Sequence, residues 1–375
     1  MVKHVVCNIV SLNCCLSTGP PILFNGAHAR AKRLVDAFYA SIPYDTVDII
    51  CLQELVIDYG GIKSRFIHHP YSTKKLNSPW YTNDMRLVSS GLCILSRFEI
   101  VEEDAYVFKG NAYHAEILMA KGIIYAKIKL QDGIFVHVFN THLQAWTVAE
   151  ANDVRAQQMQ ELFQFMTRKL LYVDFAYEFV IVGFDSNTDL FEHNSRVKTM
   201  FQNAHLNITE PQNPIFSFDP THNPLVGLDD PKEYRLRGHF FNQDKNKLIE
   251  DGQISPVPKQ LIDGFATHIY QTDSVQCLLF DVIPIKTRSP FVIHINMSTQ
   301  MEVCDVSDHA AVIGKFKFLI PNEQTCPYRC LPKNYQKKSV LRENEKISIL
   351  WVCIFIVIAA ILFLLIFYVL VSVFC

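Results

Sequence analysis

The chain has 375 residues, with 35 Lys and Arg against 37 Asp and Glu and a net charge of −2 at pH 7. Hydrophobic residues make up 49% and charged ones 19%, which excludes a disordered chain, because disorder goes with too little apolar surface to offset the entropy of ordering. The near balance of charge argues against a domain held on nucleic acid by phosphate contacts, and at about 150 residues per domain the length admits one large domain or two modest ones.

In chain order, short β-branched and aromatic runs alternate with two helical patterns. The N-terminal stretch MVKHVVCNIVSLNCC meets Asn8, Ser11 and Asn13 too early for the apolar core of a signal peptide and reads as a strand over residues 5–13. A helix over 27–42 comes next, then strands over 47–52 and 91–96. Strands over 122–130 and 134–141 are separated by Gln-Asp-Gly, the pattern of an antiparallel hairpin, which argues against a purely parallel sheet. In the helix expected over 148–171, Val154, Met159, Leu162, Phe163, Phe165 and Met166 recur at helical spacing. Strands over 179–183, 261–270, 275–284 and 309–318 complete the pattern, and residues 205–260, rich in Pro, Asn and Asp, read as a long irregular insertion. Such a mixture is most economically two packed sheets flanked by helices. The eleven cysteines are odd in number and read as free thiols, with Cys7, Cys51, Cys93 and Cys277 inside apolar runs and expected in the core.

From Ile347 to Cys375 no charged side chain occurs. About 20 apolar residues at 1.5 Å rise cover the roughly 30 Å hydrocarbon core, so this run predicts one tilted transmembrane helix. Lys333, Lys337, Lys338, Arg342 and Lys346 precede it and no charge comes after it, which predicts a tail anchor with the preceding domain in the cytosol, on the endoplasmic reticulum or another endomembrane. The expected organisation is a folded domain at 1–320, a basic linker at 321–346 and the membrane anchor at 347–375.

Several predicted strands end alike, an apolar run giving way at once to amide, acidic or imidazole groups. They are NIVSLNC with Asn13, DIICLQE with Glu54, VHVFNTHLQA with His142, FVIVGFDSN with Asp185 and Asn187, LIDGF with Asp263, and VSDHAAVIGKF with Asp308 and His309. Taken singly, each is an ordinary loop residue or cap; six together predict convergence. Carboxylate and amide oxygens suit Mg²⁺, while two imidazoles can transfer protons or stabilise an oxyanion. No His-x3-His or thiol cluster offers the ligands zinc prefers, no glycine-rich phosphate loop is present, and no G-x-S-x-G marks a serine nucleophile.

In this order the segments resemble the exonuclease/endonuclease/phosphatase superfamily, whose fold is that of deoxyribonuclease I. The resemblance covers residues 1–318 and is carried by Asn13, LQE ending in Glu54, SG-x-x-I-x-S at 90–96, NTHLQ at 140–144, D-x-N at 185–187 and SDH at 307–309. Within it, KGIIYAKI at 121–128 and FDPTHNPLV at 218–226 are similar to neutral sphingomyelinases. The resemblance implies an α/β fold, a four-layer α-β-β-α sandwich of two mixed sheets, followed here by the C-terminal transmembrane helix. It also implies a Mg²⁺-dependent phosphodiesterase that cleaves membrane sphingomyelin to ceramide and phosphocholine. Glu54 is then the principal Mg²⁺ ligand with Asn13 beside it and Asp308 as a secondary ligand. His309 is the general base with Asp263 orienting it, Asp185 and Asn187 lie near water and phosphate, and His142 binds the phosphoryl oxygens or assists the leaving group.

Three positions depart from the family pattern. Phe184 stands between Gly183 and Asp185 where the family commonly has Gly directly before the aspartate, which leaves room for a shifted turn. Gly264 comes after Asp263 where Tyr is frequent, a change expected to loosen that strand, and Cys14 comes after Asn13 where an aromatic residue is common. The same scaffold also serves other substrates, so inositol phosphosphingolipids, lysophospholipids and nucleic acid are alternatives, as is a non-catalytic membrane scaffold. Charge and the anchor oppose nucleic acid, and no protein partner is indicated.

Overall fold

The computed structural model describes residues 3–16, 26–56, 61–74, 76, 86, 88–110, 112–146, 148–191, 196–220, 222–226, 259–294 and 300–321. The chain divides into two units, Met1–Thr325 and Cys326–Cys375, and all described residues lie in the first. Among them no helix is long and apolar enough to cross a membrane; the expected anchor at 347–375 and the linker from 322 onward lie outside the described residues, as does 227–258 of the expected insertion.

Two six-stranded sheets form the frame. The first runs β13 (Val275–Ile283), β16 (Ala311–Ile320), β1 (Lys3–Asn13), β2 (Ile49–Gln53), β5 (Cys93–Ser96) and β3 (Tyr71–Ser72). The second runs β11 (Leu206–Ile208), β12 (Asp263–His268), β10 (Glu178–Asp185), β9 (Ile134–His142), β8 (Gly122–Gln131) and β6 (Ile100–Val107). Both are mixed in the same way: β1 with β2 and β9 with β10 are the parallel pairs, and all other pairings within them are antiparallel. A parallel pair needs a crossover, and each receives one helix, α1 (Ala27–Ser41) between β1 and β2 and α3 (Ala149–Leu170) between β9 and β10. Shorter elements are α2 (Ile62–Arg65), α4 (Arg196–Asn203), the ribbon of β14 (Lys286–His294) with β15 (Gln300–Asp305), and the pair β4 (Val88–Ser89) with β7 (Met119–Ala120).

Period-2 alternation along the strands assigns their residues to layers. Cys7 and Ile9 of β1, Ile49 and Cys51 of β2, Val136 and Val138 of β9, Ile181 of β10 and Phe265 of β12 pack between the sheets. Val10, Leu12, Ile50 and Leu52 point the other way, onto Ala31, Leu34, Val35 and Phe38 of α1. Phe139, Val180, Val182 and Phe184 point outward onto Met159, Leu162, Phe165 and Met166 of α3 and Phe201 of α4. The result is the four-layer α-β-β-α sandwich. Cys7, Cys51 and Cys93 are buried as expected, but Cys277 is exposed, because the apolar run holding it is β13, at the edge of its sheet.

Two departures from the family pattern meet each other. Phe184 does not shift the turn, for β10 continues through Asp185, and Phe184 faces the outer layer with its ring 4.6 Å from that of Phe201. Gly264 lies directly across from it on β12, and a Cβ there would come within 3.1 Å of Phe184 Cζ. The missing side chain on one strand thus makes space for the extra ring on its neighbour, and β12 stays paired to β10 from Asp263 to Thr267 rather than loosening. Phe184→Ala is expected to cost about 3–5 kcal/mol in denaturant unfolding, as for other buried Phe truncations. Gly264→Val should destabilise the parent protein but cost clearly less in the Phe184→Ala background; equal losses in both backgrounds would show the two positions to be independent.

Candidate active site

The layer between the sheets turns polar at one end. Gln53 Nε2 donates to Ser11 Oγ (3.0 Å) and to Asn140 Oδ1 (2.8 Å), and Asn140 Nδ2 crosses to the carbonyl oxygens of Leu52 (2.8 Å) and Cys93 (3.0 Å). These fully buried amides fasten β9 to β2 and β5 and form a floor. Immediately beyond it, register builds a row: Asp185 at the end of β10 pairs with His142 on β9 and with Asp263 on β12. Each continues the inward-facing alternation of its strand, so three reactive side chains stand side by side at the mouth of the inter-sheet layer.

The other sheet supplies the opposite wall. Asn13, last residue of β1, donates through Nδ2 to Asp185 Oδ2 (2.9 Å) and Glu54 Oε1 (3.2 Å), while its Oδ1 accepts from Cys15 N–H (2.8 Å). Glu54, just after β2, has φ 53°, a left-handed conformation that is uncommon for a residue with a side chain. Gly91 makes this turn possible, since a Cβ at that position would lie 2.3 Å from Leu55 N. Asn187 is also left-handed, at φ 51°, and its N–H donates to Asp185 Oδ1 (2.9 Å) while Nδ2 reaches Leu143 O (3.0 Å) and His142 Nε2 (2.7 Å).

The turn before β16 brings the last two groups. Ser307 Oγ donates to Asn13 O (2.6 Å) and accepts from His309 N–H (3.2 Å), tying the turn to the end of β1. His309 Nδ1 lies 2.6 Å from Asp263 Oδ2, and its Nε2 lies 3.9 Å from Asp185 Oδ2 and 4.0 Å from Asp308 Oδ1. All eight residues expected to converge, Asn13, Glu54, His142, Asp185, Asn187, Asp263, Asp308 and His309, therefore do so. Gln53, Asn140 and Ser307 stand inside the motifs LQE, NTHLQ and SDH but, like Ser11, are given no role by the sequence, although polar residues inside apolar strands were the available signal. Lys121, the first residue of KGIIYAKI, is likewise given no role by the sequence; it is buried, meets Glu116 Oε1 at 2.6 Å and His142 Nε2 at 3.3 Å, and precedes the apolar run of β8.

The two imidazoles are held in opposite states. Burial, then the Lys121 ammonium, push His142 down to about 3, so it is neutral at pH 7. Burial also pulls His309 down, but the carboxylates of Asp263, Asp308 and Asp185 outweigh it and hold that imidazole well above the usual histidine range. Glu54 is pushed up to about 7 by burial and then by the charge of Asp308, against the opposing pull of Lys121. Glu54 and Asp308 thus form an oxygen-rich corner with surplus negative charge, the chemistry that a hard divalent cation satisfies. Asp185, Asp263 and His309 also offer ligand atoms within 4.8 Å of one another, a second arrangement able to hold a metal. Among the described residues, Asp263 Oδ1 and His142 Nδ1 are buried without a hydrogen-bond partner.

The fold is the deoxyribonuclease I-like sandwich, with carboxylates, amides and imidazoles gathered at one end of its inner layer. Comparison with known proteins narrows the likeness. The chain is 34% identical over 155 residues to sphingomyelinase C of Bacillus cereus, covering 38% of this chain and 45% of that one. It is 35% identical over 112 residues to a sphingomyelinase of Dictyostelium discoideum, covering 26% of this chain and 24% of the relative, so the matches span less than half the length of these relatives. Among solved structures, beta toxin from Staphylococcus aureus with bound magnesium ions superposes with a TM-score of 0.64 at 20% identity, covering 82% of this chain and 98% of that one. No protein-family model matches the chain.

Raising the Glu54 carboxyl from its ordinary 4.5 to about 7 means that the folded state holds its proton more tightly than the unfolded one. Stability from this group is full below pH 4.5 and is lost as pH rises through about 7. In the absence of divalent cations, Glu54→Gln should therefore raise Tm at pH 8 and leave it nearly unchanged at pH 5, as read by calorimetry. A variant less stable than the parent at pH 8 would show that the carboxylate is not penalised by its surroundings.

Proposed function

We propose that the chain is a divalent-cation-dependent phosphodiesterase that hydrolyses sphingomyelin to ceramide and phosphocholine, with water attacking phosphorus. The observation that carries this reading is the Asp263–His309 pair, closed at 2.6 Å, with Nε2 of the imidazole turned toward Asp185 and Asp308 at 3.9 and 4.0 Å. The likeness to sphingomyelinases supports the choice of substrate.

Asp263 accepts from Nδ1–H and so leaves Nε2 as the atom of His309 that exchanges a proton with water; the carboxylates that raise this imidazole keep it protonated until a divalent cation would offset their charge, and the neutral form is then the general base. His142 sits opposite, neutral and accepting at Nε2 from Asn187 Nδ2, and would reach the phosphoryl oxygens or assist the leaving group as a donor once Nε2 carries a proton. Asp185 stands between the imidazoles, 3.6 Å from His142 Nε2, and with Asn13 keeps their spacing. Glu54, with Asp308 and Asn13 nearby, would hold Mg²⁺, which when bound neutralises developing charge on phosphate oxygens. The uncharged run at 347–375 and the basic residues ahead of it support a tail anchor that keeps this site on a cytosolic membrane face.

Purified protein supplied with Mg²⁺ should release phosphocholine from sphingomyelin, and His309→Ala should lower kcat by about 10²–10⁴-fold, the contribution of a positioned general base. Asp263→Asn should do comparable harm, and the double variant should be scarcely slower than either, since groups acting as one unit are not additive. Multiplied losses would make the two independent. The orientation is tested separately: protease added to sealed microsomes should digest the domain, and deleting 347–375 should leave a soluble, active protein. Protection of the domain would reverse the topology.

A further inference from the structure

Among the described residues, five that are not glycine have left-handed backbone, and four of them lie within four residues of the ends of the two parallel strand pairs. These are Cys15 (φ 50°) after β1, Glu54 (φ 53°) after β2, Trp146 (φ 78°) after β9 and Asn187 (φ 51°) after β10. Left-handed backbone is disfavoured for a residue with a side chain and persists only where the surroundings fix it. Glu54 and Asn187 belong to the site itself. Cys15 and Trp146 do not, and each is fixed by the same device, a buried arginine from the crossover helix that comes next.

Arg155 of α3 donates through Nη1 to Trp146 O (2.7 Å) and to Gln144 O, and through Nη2 to Asn152 Oδ1. Arg30 of α1 donates through Nη2 to Cys15 O (2.7 Å) and through Nη1 to Val306 O (2.9 Å). Both side chains are buried, and a planar guanidinium can serve two carbonyls at once in a fixed geometry. The segment behind His142 shows what this bracing reaches. Leu143 N–H donates to Asp185 O (3.0 Å), Gln144 N–H to Gln158 Oε1 (2.8 Å) and Ala145 N–H to Glu116 Oε2 (3.0 Å). Leu143 O accepts from both Lys121 Nζ (2.5 Å) and Asn187 Nδ2 (3.0 Å), and these same two groups face His142 Nε2 at 3.3 and 2.7 Å. A drift of residues 143–146 would therefore carry Leu143 O away and displace both groups that meet the imidazole.

We propose that Arg155 is a positioning residue for His142: by fixing Gln144 O and Trp146 O it holds the left-handed turn that sets Leu143 O, and so the places of Asn187 and Lys121 at Nε2. Arg30 is its counterpart in the other sheet. The carbonyl of Val306 that it binds directly precedes Ser307, which in turn bonds Asn13 O and His309 N–H, so Arg30 braces the wall that carries His309 rather than the one that carries His142. This assignment rests on the phosphodiesterase reading above and extends it from the groups that meet the substrate to what holds them in place.

Arg155→Lys keeps the charge but lacks the planar fork that spans two carbonyls. With sphingomyelin in detergent micelles and Mg²⁺, it should lower kcat about 10²-fold at nearly unchanged KM, the scale of a misplacement of about 1 Å. A second readout needs no turnover: in the full chain labelled with ¹⁵N-histidine, Arg155→Lys should move the ring signals of His142 and leave those of His309, each assigned by its loss in His142→Gln or His309→Gln. Arg30→Lys should do the reverse. A folded Arg155→Lys with the parent's kcat, or with unmoved His142 signals, would overturn the proposal, as would His142 signals moved equally by both lysine variants, the mark of general loosening. Should Arg155→Lys not fold, Gln158→Met removes only the acceptor of Gln144 N–H and reads the same turn; it should move the His142 signals alone, and unmoved signals reject the proposal. If the parent releases no phosphocholine, the phosphodiesterase reading fails on its own, and the ring signals still decide what Arg155 holds.

Discussion

The hydrogen bond from Asn13 Nδ2 to Asp185 Oδ2, 2.9 Å long, joins the two sheets at the point where their shared core ends. Asp185 is fully buried, and a buried carboxylate is tolerated only when donors or cations surround it. Asn13 comes from β1, Asn187 N–H from the turn after β10, and both imidazoles lie within 4 Å of the same carboxylate. Removing Asn13 would take away the donor that reaches across from the other sheet, and with it the contact that sets the distance between Glu54 and the row of His142, Asp185 and Asp263. The chemistry thus depends on two sheets being held in one registration, and below the site the Gln53, Ser11 and Asn140 side chains hold it.

Much of this was legible because strands advertise themselves twice, through their composition and through the polar groups placed directly after their last apolar residue. Runs such as NIVSLN and FVIVGFD are apolar on both faces, as central strands of a sandwich must be, and their ends were correctly expected to converge. β6 was not foreseen, since Glu102, Glu103 and Asp104 lie exposed on an edge strand and carry no core-facing alternation strong enough to read. The β14–β15 ribbon was missed for a related reason: it is two strands packed on α1 through Phe291, Ile293 and Val303, with little apolar surface elsewhere. The role of Lys121 was illegible, although it opens KGIIYAKI, because a lysine before a strand is normally solvated and only the third dimension brings it to His142 and Glu116.

The electrostatic contrast between the histidines was also beyond the sequence, which names residues but not their neighbours' charges. Both are almost completely buried, so desolvation alone would make both neutral. The difference is the company each keeps: at His142 an ammonium 3.3 Å away opposes the Asp185 and Glu54 carboxylates at 3.6 and 3.9 Å, while His309 has a carboxylate bonded to Nδ1, two more near Nε2 and no such ammonium among its described partners. The asymmetry leaves His309 as the imidazole of the pair that holds a proton near neutral pH. Negative charge gathered to raise His309 is also the charge that attracts a divalent cation, so the basicity of His309 and the affinity of the Glu54 corner are coupled through Asp308.

Substrate choice must come from outside this shared machinery, since the sandwich and its polar end do not by themselves distinguish a lipid headgroup from a nucleotide. The irregular segment around Ser217 is positioned by backbone contacts to the site itself: Phe218 exchanges two hydrogen bonds with Gln260, two residues short of Ile262 and three short of Asp263. A loop attached this closely to Asp263, whose N–H donates to Ser217 Oγ, cannot shift without disturbing the pair that Asp263 makes with His309.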